Sequence, residues 1–234
     1  MPSIADRLIE VRSRIAAAAR SAERDPSSVR LIAVSKTFSI DLVREAYAAG
    51  QREFGENRVQ EALLKIQASA SLDIRWHLVG HVQTNKAKRA ATTFSVIQSV
   101  DSIELLQRLD AAAASAGAAP QLLIQVDLAD EETKFGVRPK DVPPLLEAAA
   151  TLRAARVVGL MTLPPIPQDP EDARPWFRRL REWRDEWLAS RVPSNMLQEL
   201  SMGMSGDFEV AIQEGATMVR IGTAIFGRRE AFPK

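Results

Sequence analysis

Apolar positions along this chain change period repeatedly. Ile4, Leu8, Val11 and Ile15 fall on one stripe, which predicts an amphipathic helix over residues 3–22. Ser3 can cap that helix, and Asp25-Pro26-Ser27-Ser28 ends it in a turn. Short apolar runs then alternate with helical ones. The runs predict strands at 30–36, 53–56, 76–80, 95–100, 121–127, 156–161, 199–202 and 217–221. Helices are expected between them: 41–49, stopped by Gly50, then one through Val59, Leu63 and Ile66, then 84–91, 102–115, 142–153, 172–190 and 207–214. The proline-rich stretch 163–170 cannot be helix. Trp176, Leu180, Trp183 and Trp187 form one stripe of the long helix, which is read as packing.

Strands alternating with helices imply right-handed crossovers and a parallel sheet. Eight such units in 234 residues fit an α/β fold, a single (β/α)8 TIM-type barrel with an extra N-terminal helix. A doubly wound open sheet is the alternative. No linker, low-complexity region or repeat divides the chain, so residues 1–234 are read as one domain.

Composition narrows the function classes. Apolar content of 46% and charged content of 26% are those of an ordinary soluble globular chain. Lys+Arg 31 against Asp+Glu 30 gives a formal charge of +1, so neither nucleic acid nor a membrane surface is an expected partner. There are no cysteines, which excludes disulfides and thiolate metal sites and suits a reducing cytosol. The two histidines, His77 and His81, argue against a multi-histidine metal site. Ile15 to Ala19 is too short for a secretion signal, and Asp6 and Glu10 argue against a transit peptide, so a cytoplasmic location is expected. No apolar run approaches membrane-spanning length.

One stretch carries chemistry. Leu31-Ile-Ala-Val-Ser leads straight into Lys36. An ammonium in apolar surroundings is costly unless it is paired or neutral. A lysine with a lowered pKa attacks carbonyl carbons, so Lys36 is read as the holder of an aldehyde cofactor. The ordinary alternative is a lysine that has left the strand for water.

In such a barrel the site lies at the C-terminal strand ends, and phosphate often binds after strands seven and eight. Ser201-Met-Gly203-Met-Ser205-Gly206-Asp207 follows the seventh strand, and Gly222-Thr223 follows the eighth. Glycines let backbone amides approach a phosphate, and hydroxyls add donors. The alternative is that Ser205 or Asp207 only caps a helix and Gly203 only turns the chain. Arg220 lies between Val219 and Ile221 and faces the same side as Gly222. It can meet a ring nitrogen or a phosphate, or pair with a barrel carboxylate. A lysine for an aldehyde, a phosphate cup and an arginine for a ring nitrogen are together the requirements of pyridoxal 5'-phosphate (PLP).

Ordered motifs carry a resemblance over nearly the whole chain. They are Leu31-Ile-Ala-Val-Ser-Lys36-Thr, Phe54-Gly-Glu-Asn57-Arg-Val-Gln-Glu61, Trp76-His-Leu-Val-Gly80, Gln83-Thr-Asn-Lys86, Lys134-Phe-Gly136, Gly159-Leu-Met161, Leu200-Ser-Met-Gly-Met-Ser205, Val219-Arg-Ile-Gly-Thr223 and Phe226-Gly227. The sequence resembles the pyridoxal phosphate homeostasis proteins. The resemblance implies a single barrel like the N-terminal domain of bacterial alanine racemases, with PLP held as a Schiff base on Lys36. It places Asn57 beside the ring hydroxyl. Ser201, Gly203 and Ser205, with Gly222 and Thr223, match the phosphate cup, and Arg220 matches the pyridine-nitrogen partner. His81 departs from the pattern, since many members carry proline there.

The function the resemblance implies is intracellular PLP homeostasis: the chain holds the cofactor, buffers it or delivers it. A PLP-dependent amino-acid racemase or lyase is the alternative, and a lysine-imine aldolase without PLP is a third reading. Free amino acids and PLP-dependent apoenzymes are the expected partners, and the chain is expected to be monomeric. Little turnover is expected. The related racemases draw a tyrosine from a second, β-rich domain, and this sequence runs only about a dozen residues past strand eight. Tyr47, its one tyrosine, falls in the first barrel helix. His77 is read as a hydrogen-bonded core or rim residue. Lys86, Lys88 and Arg89 are read as a solvated face or a rim contact to an anion. Glu131, Glu132 and Lys134 either line the mouth or pair on the surface.

Overall fold

The computed structural model describes residues 2–129, 135–165, 167–190 and 192–227. Eight parallel strands close on themselves in chain order. They are β1 (Arg30–Val34), β2 (Glu53–Glu56), β3 (Arg75–Leu78), β4 (Val96–Val100), β5 (Gln121–Gln125), β6 (Arg156–Met161), β7 (Glu199–Ser201) and β8 (Met218–Ile221). The decisive pairing is β8 with β1, where Arg30 lies opposite Met218 and Ala33 opposite Ile221. That contact closes the barrel and rules out the open doubly wound sheet.

The helices are α1 (Ile4–Ser21), α2 (Ile40–Ala48), α3 (Val59–Ala68), α4 (Ala87–Thr93), α5 (Ile103–Ala116), α6 (Val142–Ala149), α7 (Arg174–Ala189), α8 (Phe208–Gln213) and α9 (Thr223–Phe226). The extra N-terminal helix α1 begins with a capping box. The Ser3 side chain accepts from the Asp6 amide, and Asp6 accepts from the Ser3 amide. Its stripe of Ile4, Leu8, Val11 and Ile15 is buried, as the spacing predicts.

Two expectations need correction. The first strand ends at Val34, and Ser35 and Lys36 belong to the turn after it. The buried face of α7 is also rotated from the tryptophan stripe. Phe177 and Leu180 are the fully buried positions, while Trp183 and Trp187 pack at its edge. Trp183 and Trp187 stack with centroids 6.3 Å apart, and the Arg179 guanidinium covers Trp183. Three indole rings cannot all enter one interhelical seam beside Phe177 and Leu180, so the amphipathic Trp183 and Trp187 take its margin.

Side chains alternate across each strand. Outward-facing residues such as Phe54, Leu78, Ile97 and Leu160 pack beneath the helices in one continuous core. Ile32, Val96, Leu123, Met161 and Met218 form a smaller cluster inside the barrel. The rest of the interior is polar, with His77, Gln98, Ser201 and Arg220 all buried. Among the described residues, no helix is long and apolar enough to cross a membrane, and no three His, Asp or Glu side chains are grouped to hold a metal ion.

Candidate functional site

A cavity of 820 Å³ opens at the C-terminal ends of the strands. Lys36 and Phe38 reach it from the turn after β1, Asn57 from β2, Ser205 and Asp207 from β7, and Arg220, Gly222 and Thr223 from β8. Residues more than 180 positions apart in sequence thus meet because the barrel closes β8 onto β1.

The lysine turn is built to be held. Phe38 donates its amide to the Ser35 carbonyl, and Thr37 has φ of +68°, the left-handed region that non-glycine residues avoid. A charged network holds it there. The Glu61 carboxylate accepts from the Thr37 amide at 2.5 Å and from Lys65 Nζ at 3.1 Å. Lys65 Nζ also donates to the Ser35 carbonyl and to Glu56, each at 2.7 Å. The Ser35 hydroxyl donates to the same Glu56 oxygen at 2.6 Å. Burial pushes the Glu56 carboxyl up, against the hydrogen bonds from Lys65 and Ser35.

At the opposite wall, the Ser205 hydroxyl oxygen accepts from the amides of Gly222 at 3.3 Å and Ala224 at 3.5 Å. That bond ties the β7 loop to the β8 loop. Asp207 does not cap α8 through its side chain; it braces the loop by accepting from the Met204 amide at 2.6 Å. Burial raises the Asp207 carboxyl, opposed by the Met204 hydrogen bond and the charge of Arg220. Arg220 is buried in the barrel mouth. It donates to Ser201 Oγ at 2.6 Å and to the Thr162 carbonyl at 2.7 Å. Burial pushes its pKa down to about 10, so it stays cationic at neutral pH. Among the described residues it has no ion pair, so the barrel-carboxylate alternative is not what satisfies it.

The sequence matches the alanine racemase, N-terminal domain family over residues 8–230. A pyridoxal phosphate homeostasis protein of Aquifex aeolicus is 44% identical over 225 residues, covering 96% of this chain and 98% of that one. The protein of the same name from Escherichia coli K12 is 38% identical and covers 98% of both chains. PipY of Synechococcus elongatus PCC7942, solved with PLP bound, superposes with a TM-score of 0.86 at 42% identity, over 96% of this chain and all of that one. This chain belongs to the pyridoxal phosphate homeostasis protein family. Its likeness to an alanine racemase of Clostridium difficile, TM-score 0.72 at 14% identity, is one of fold alone.

Within this homeostasis-family barrel, six of the eight residues expected at the cofactor line the cavity: Lys36, Asn57, Ser205, Arg220, Gly222 and Thr223. Ser201 and Gly203 stand behind the lining. Ser201 is fully buried beneath Arg220. Gly203 has φ of +92°, and a Cβ there would come within 2.6 Å of Ala211, so glycine is needed to seat the loop on α8. Gly80 does similar work, since a Cβ would lie 2.2 Å from the Asn57 carbonyl.

Several features of this family member were not read from its sequence. Lys65 carries a buried, paired ammonium, and Lys36 is half-buried. His81 is on the cavity wall, stacked on Phe135 with centroids 3.7 Å apart, and its Nδ1 lies 3.1 Å from Asp101. Burial raises the Asp101 carboxyl, and His81 opposes that shift. Gln125 donates to the Phe135 carbonyl at 2.5 Å and joins the same wall. Glu131, Glu132 and Lys134 lie outside the described residues. Lys86 borders a neighbouring groove with Arg58, while Lys88 and Arg89 are exposed on α4.

The Lys65 network makes a prediction. Removing one partner of a buried ion pair costs about 3–5 kcal/mol. Lys65→Met strands the Glu56 carboxylate and frees the Thr37 turn, so a loss of that size is expected in urea unfolding. A change below about 1 kcal/mol, the worth of a surface pair, would mean the network is ornamental.

Proposed function

We propose that this chain binds PLP in the cavity, linked covalently to Lys36, and holds the cofactor for buffering or delivery in the cytoplasm. It does so as one barrel over residues 1–234, as a monomer, with free amino acids and PLP-dependent apoenzymes as the species that meet the bound cofactor. The observation that carries this reading is convergence. An amine, a buried guanidinium and a hydroxyl joined to two amides face one cavity. That donor set suits an aldehyde, a ring nitrogen and a phosphate together. The PLP bound to PipY, a 42% identical relative over nearly the full chain, supports it.

When bound, PLP supplies an aldehyde for amines and an electron sink for the carbon next to the amino nitrogen. The protein supplies position and charge. Ser205, Thr223 and the amides of Gly222 and Ala224 take the phosphate. Arg220 donates to the ring nitrogen, Asn57 serves the ring hydroxyl, and Lys36 provides the amine. Ser201 and Gly203 act indirectly, Ser201 through Arg220 and Gly203 through the seating of the β7 loop.

Ser205→Ala and Thr223→Val each remove one donor to a charged acceptor, worth on the order of 1.5–3 kcal/mol. Each is expected to weaken PLP retention by about ten- to a hundredfold, read by equilibrium dialysis. Undiminished retention in the double variant would place the phosphate elsewhere.

A further inference from the structure

Five polar side chains cross the barrel interior in one line, and we propose that this line fixes Arg220 for the ring nitrogen, with His77 and Gln98 as positioning residues. The inference rests on the PLP reading above.

The line begins at the mouth. Arg220 Nη1 donates to Ser201 Oγ at 2.6 Å, and the Ser201 hydroxyl donates to Gln98 Oε1 at 2.7 Å. Gln98 Nε2 lies 2.9 Å from His77 Nδ1, and His77 Nε2 lies 2.8 Å from a Glu53 oxygen. His77, Gln98 and Ser201 are fully buried. Glu53 is at the start of β2, beside Arg30 at 3.8 Å. The line therefore runs from the N-terminal face of the barrel to its mouth.

The two ends dictate every proton between them. A guanidinium has no acceptor, so Arg220 must donate. Ser201 then accepts, and its single proton goes to the Gln98 carbonyl. A carboxylate has only acceptors, so His77 must present Nε2–H to Glu53. That leaves Nδ1 as an acceptor, which the Gln98 amide group fills. Turning Gln98 over would set its NH₂ against the Ser201 hydroxyl and its oxygen against the Nδ1 lone pair. The opposite tautomer of His77 would set a lone pair against the Glu53 carboxylate. Both alternatives leave buried groups unpaired, each at a cost of a lost hydrogen bond or more.

The charge states agree with this order. Burial holds the His77 imidazole below its ordinary value, outweighing the hydrogen bond and charge of Glu53, so the ring is neutral at neutral pH. Burial works against the Glu53 carboxylate, but the His77 hydrogen bond and the charges of Arg30 and Arg75 keep it ionised. Glu53 thus sets the tautomer of His77, His77 sets the face of Gln98, and Gln98 turns the Ser201 oxygen to Arg220. Because the Ser201 proton is committed inward, that hydroxyl does not serve the phosphate.

The test has an unloaded and a loaded arm. In the unloaded native protein, ¹⁵N NMR of His77 is expected to report a neutral ring protonated on Nε2; a ring protonated on Nδ1, or on both nitrogens, overturns the proposal. In the loaded protein, the ¹⁵N shift of ring-labelled PLP reads the hydrogen bond from Arg220. Gln98→Met and His77→Leu are expected to move that shift toward the value of Arg220→Lys and to weaken PLP binding about tenfold. His77→Asn keeps an acceptor for Gln98 and is expected to stay near native. A native shift in Gln98→Met and His77→Leu, alongside a moved shift in Arg220→Lys, overturns the relay. An unmoved shift in Arg220→Lys overturns the ring-nitrogen reading instead, and the relay then stands or falls on the tautomer found in the unloaded protein. A His77→Leu chain that fails to fold leaves Gln98→Met and the native tautomer to decide.

Discussion

Lys36→Ala is expected to abolish the covalent link to PLP while leaving the barrel folded. The turn that carries Lys36 is held by groups on its neighbours. Glu61 takes the Thr37 amide, Lys65 takes the Ser35 carbonyl, and Ser35 and Lys65 share Glu56. All of these survive alanine at position 36. The wall at Ser205 and Gly222 proposed for the phosphate belongs to the loops after β7 and β8 and is likewise untouched. The visible band of the loaded protein should therefore disappear, along with the label fixed on Lys36 by borohydride, while the urea midpoint stays close to native. Weak non-covalent retention is expected to remain, since the donors proposed for the phosphate are still present. The same visible band in the Lys36→Ala protein would disprove the assignment. Lys65→Met offers the contrast, because there the damage falls on stability. The two lysines are separable by which measurement each one moves.

How much of this was legible in the sequence depended on the range of the signal. The eight strands and the stripe of α1 were readable because periodicity is local; the count of units fitted a closed barrel but left the open sheet standing until the pairing of β8 with β1. Lys36, Ser205, Arg220 and Thr223 were readable because each breaks the expected composition at the end of a strand, where barrel sites form. The relay was not readable. Glu53 and Gln98 are polar residues in buried strands, which is a signal, but their partners come from strands that pair only through barrel register. Lys65 was missed for a related reason. A lysine within a helix reads as solvent-facing, and only the crossing of α3 over the β1 turn buries it. His81 was read as flanking a motif, and its place on the wall depends on Asp101 and Phe135, which lie 20 and 54 residues away in sequence.

Amino acids are expected to react with the bound cofactor yet exchange their α-protons negligibly. Withdrawal of electrons from that carbon is strongest when the ring nitrogen is protonated. On the proposed placement Arg220 would donate, and it remains charged at neutral pH, so the nitrogen facing it would act as acceptor and the sink would be weak. Racemisation also needs an acid or base on each side of the carbon. Lys36 can serve one. Tyr47 cannot serve the other, because it lies on α2, where its hydroxyl accepts from the Asp73 amide and its ring lies under Arg52. Asp207 is engaged with the Met204 amide. His81 is the one imidazole on the cavity wall among the described residues, and Asp101 beside it gives the enzyme reading its one structural foothold. Stacking flat on Phe135 fixes that ring against the wall. Incubating loaded protein with L-alanine or L-serine in deuterated water, followed by NMR and chiral analysis, tests the expectation. Exchange at ordinary enzyme rates, of order 1 per second or faster, would overturn the carrier reading. Its loss in both Lys36→Ala and His81→Pro would then name the two groups responsible.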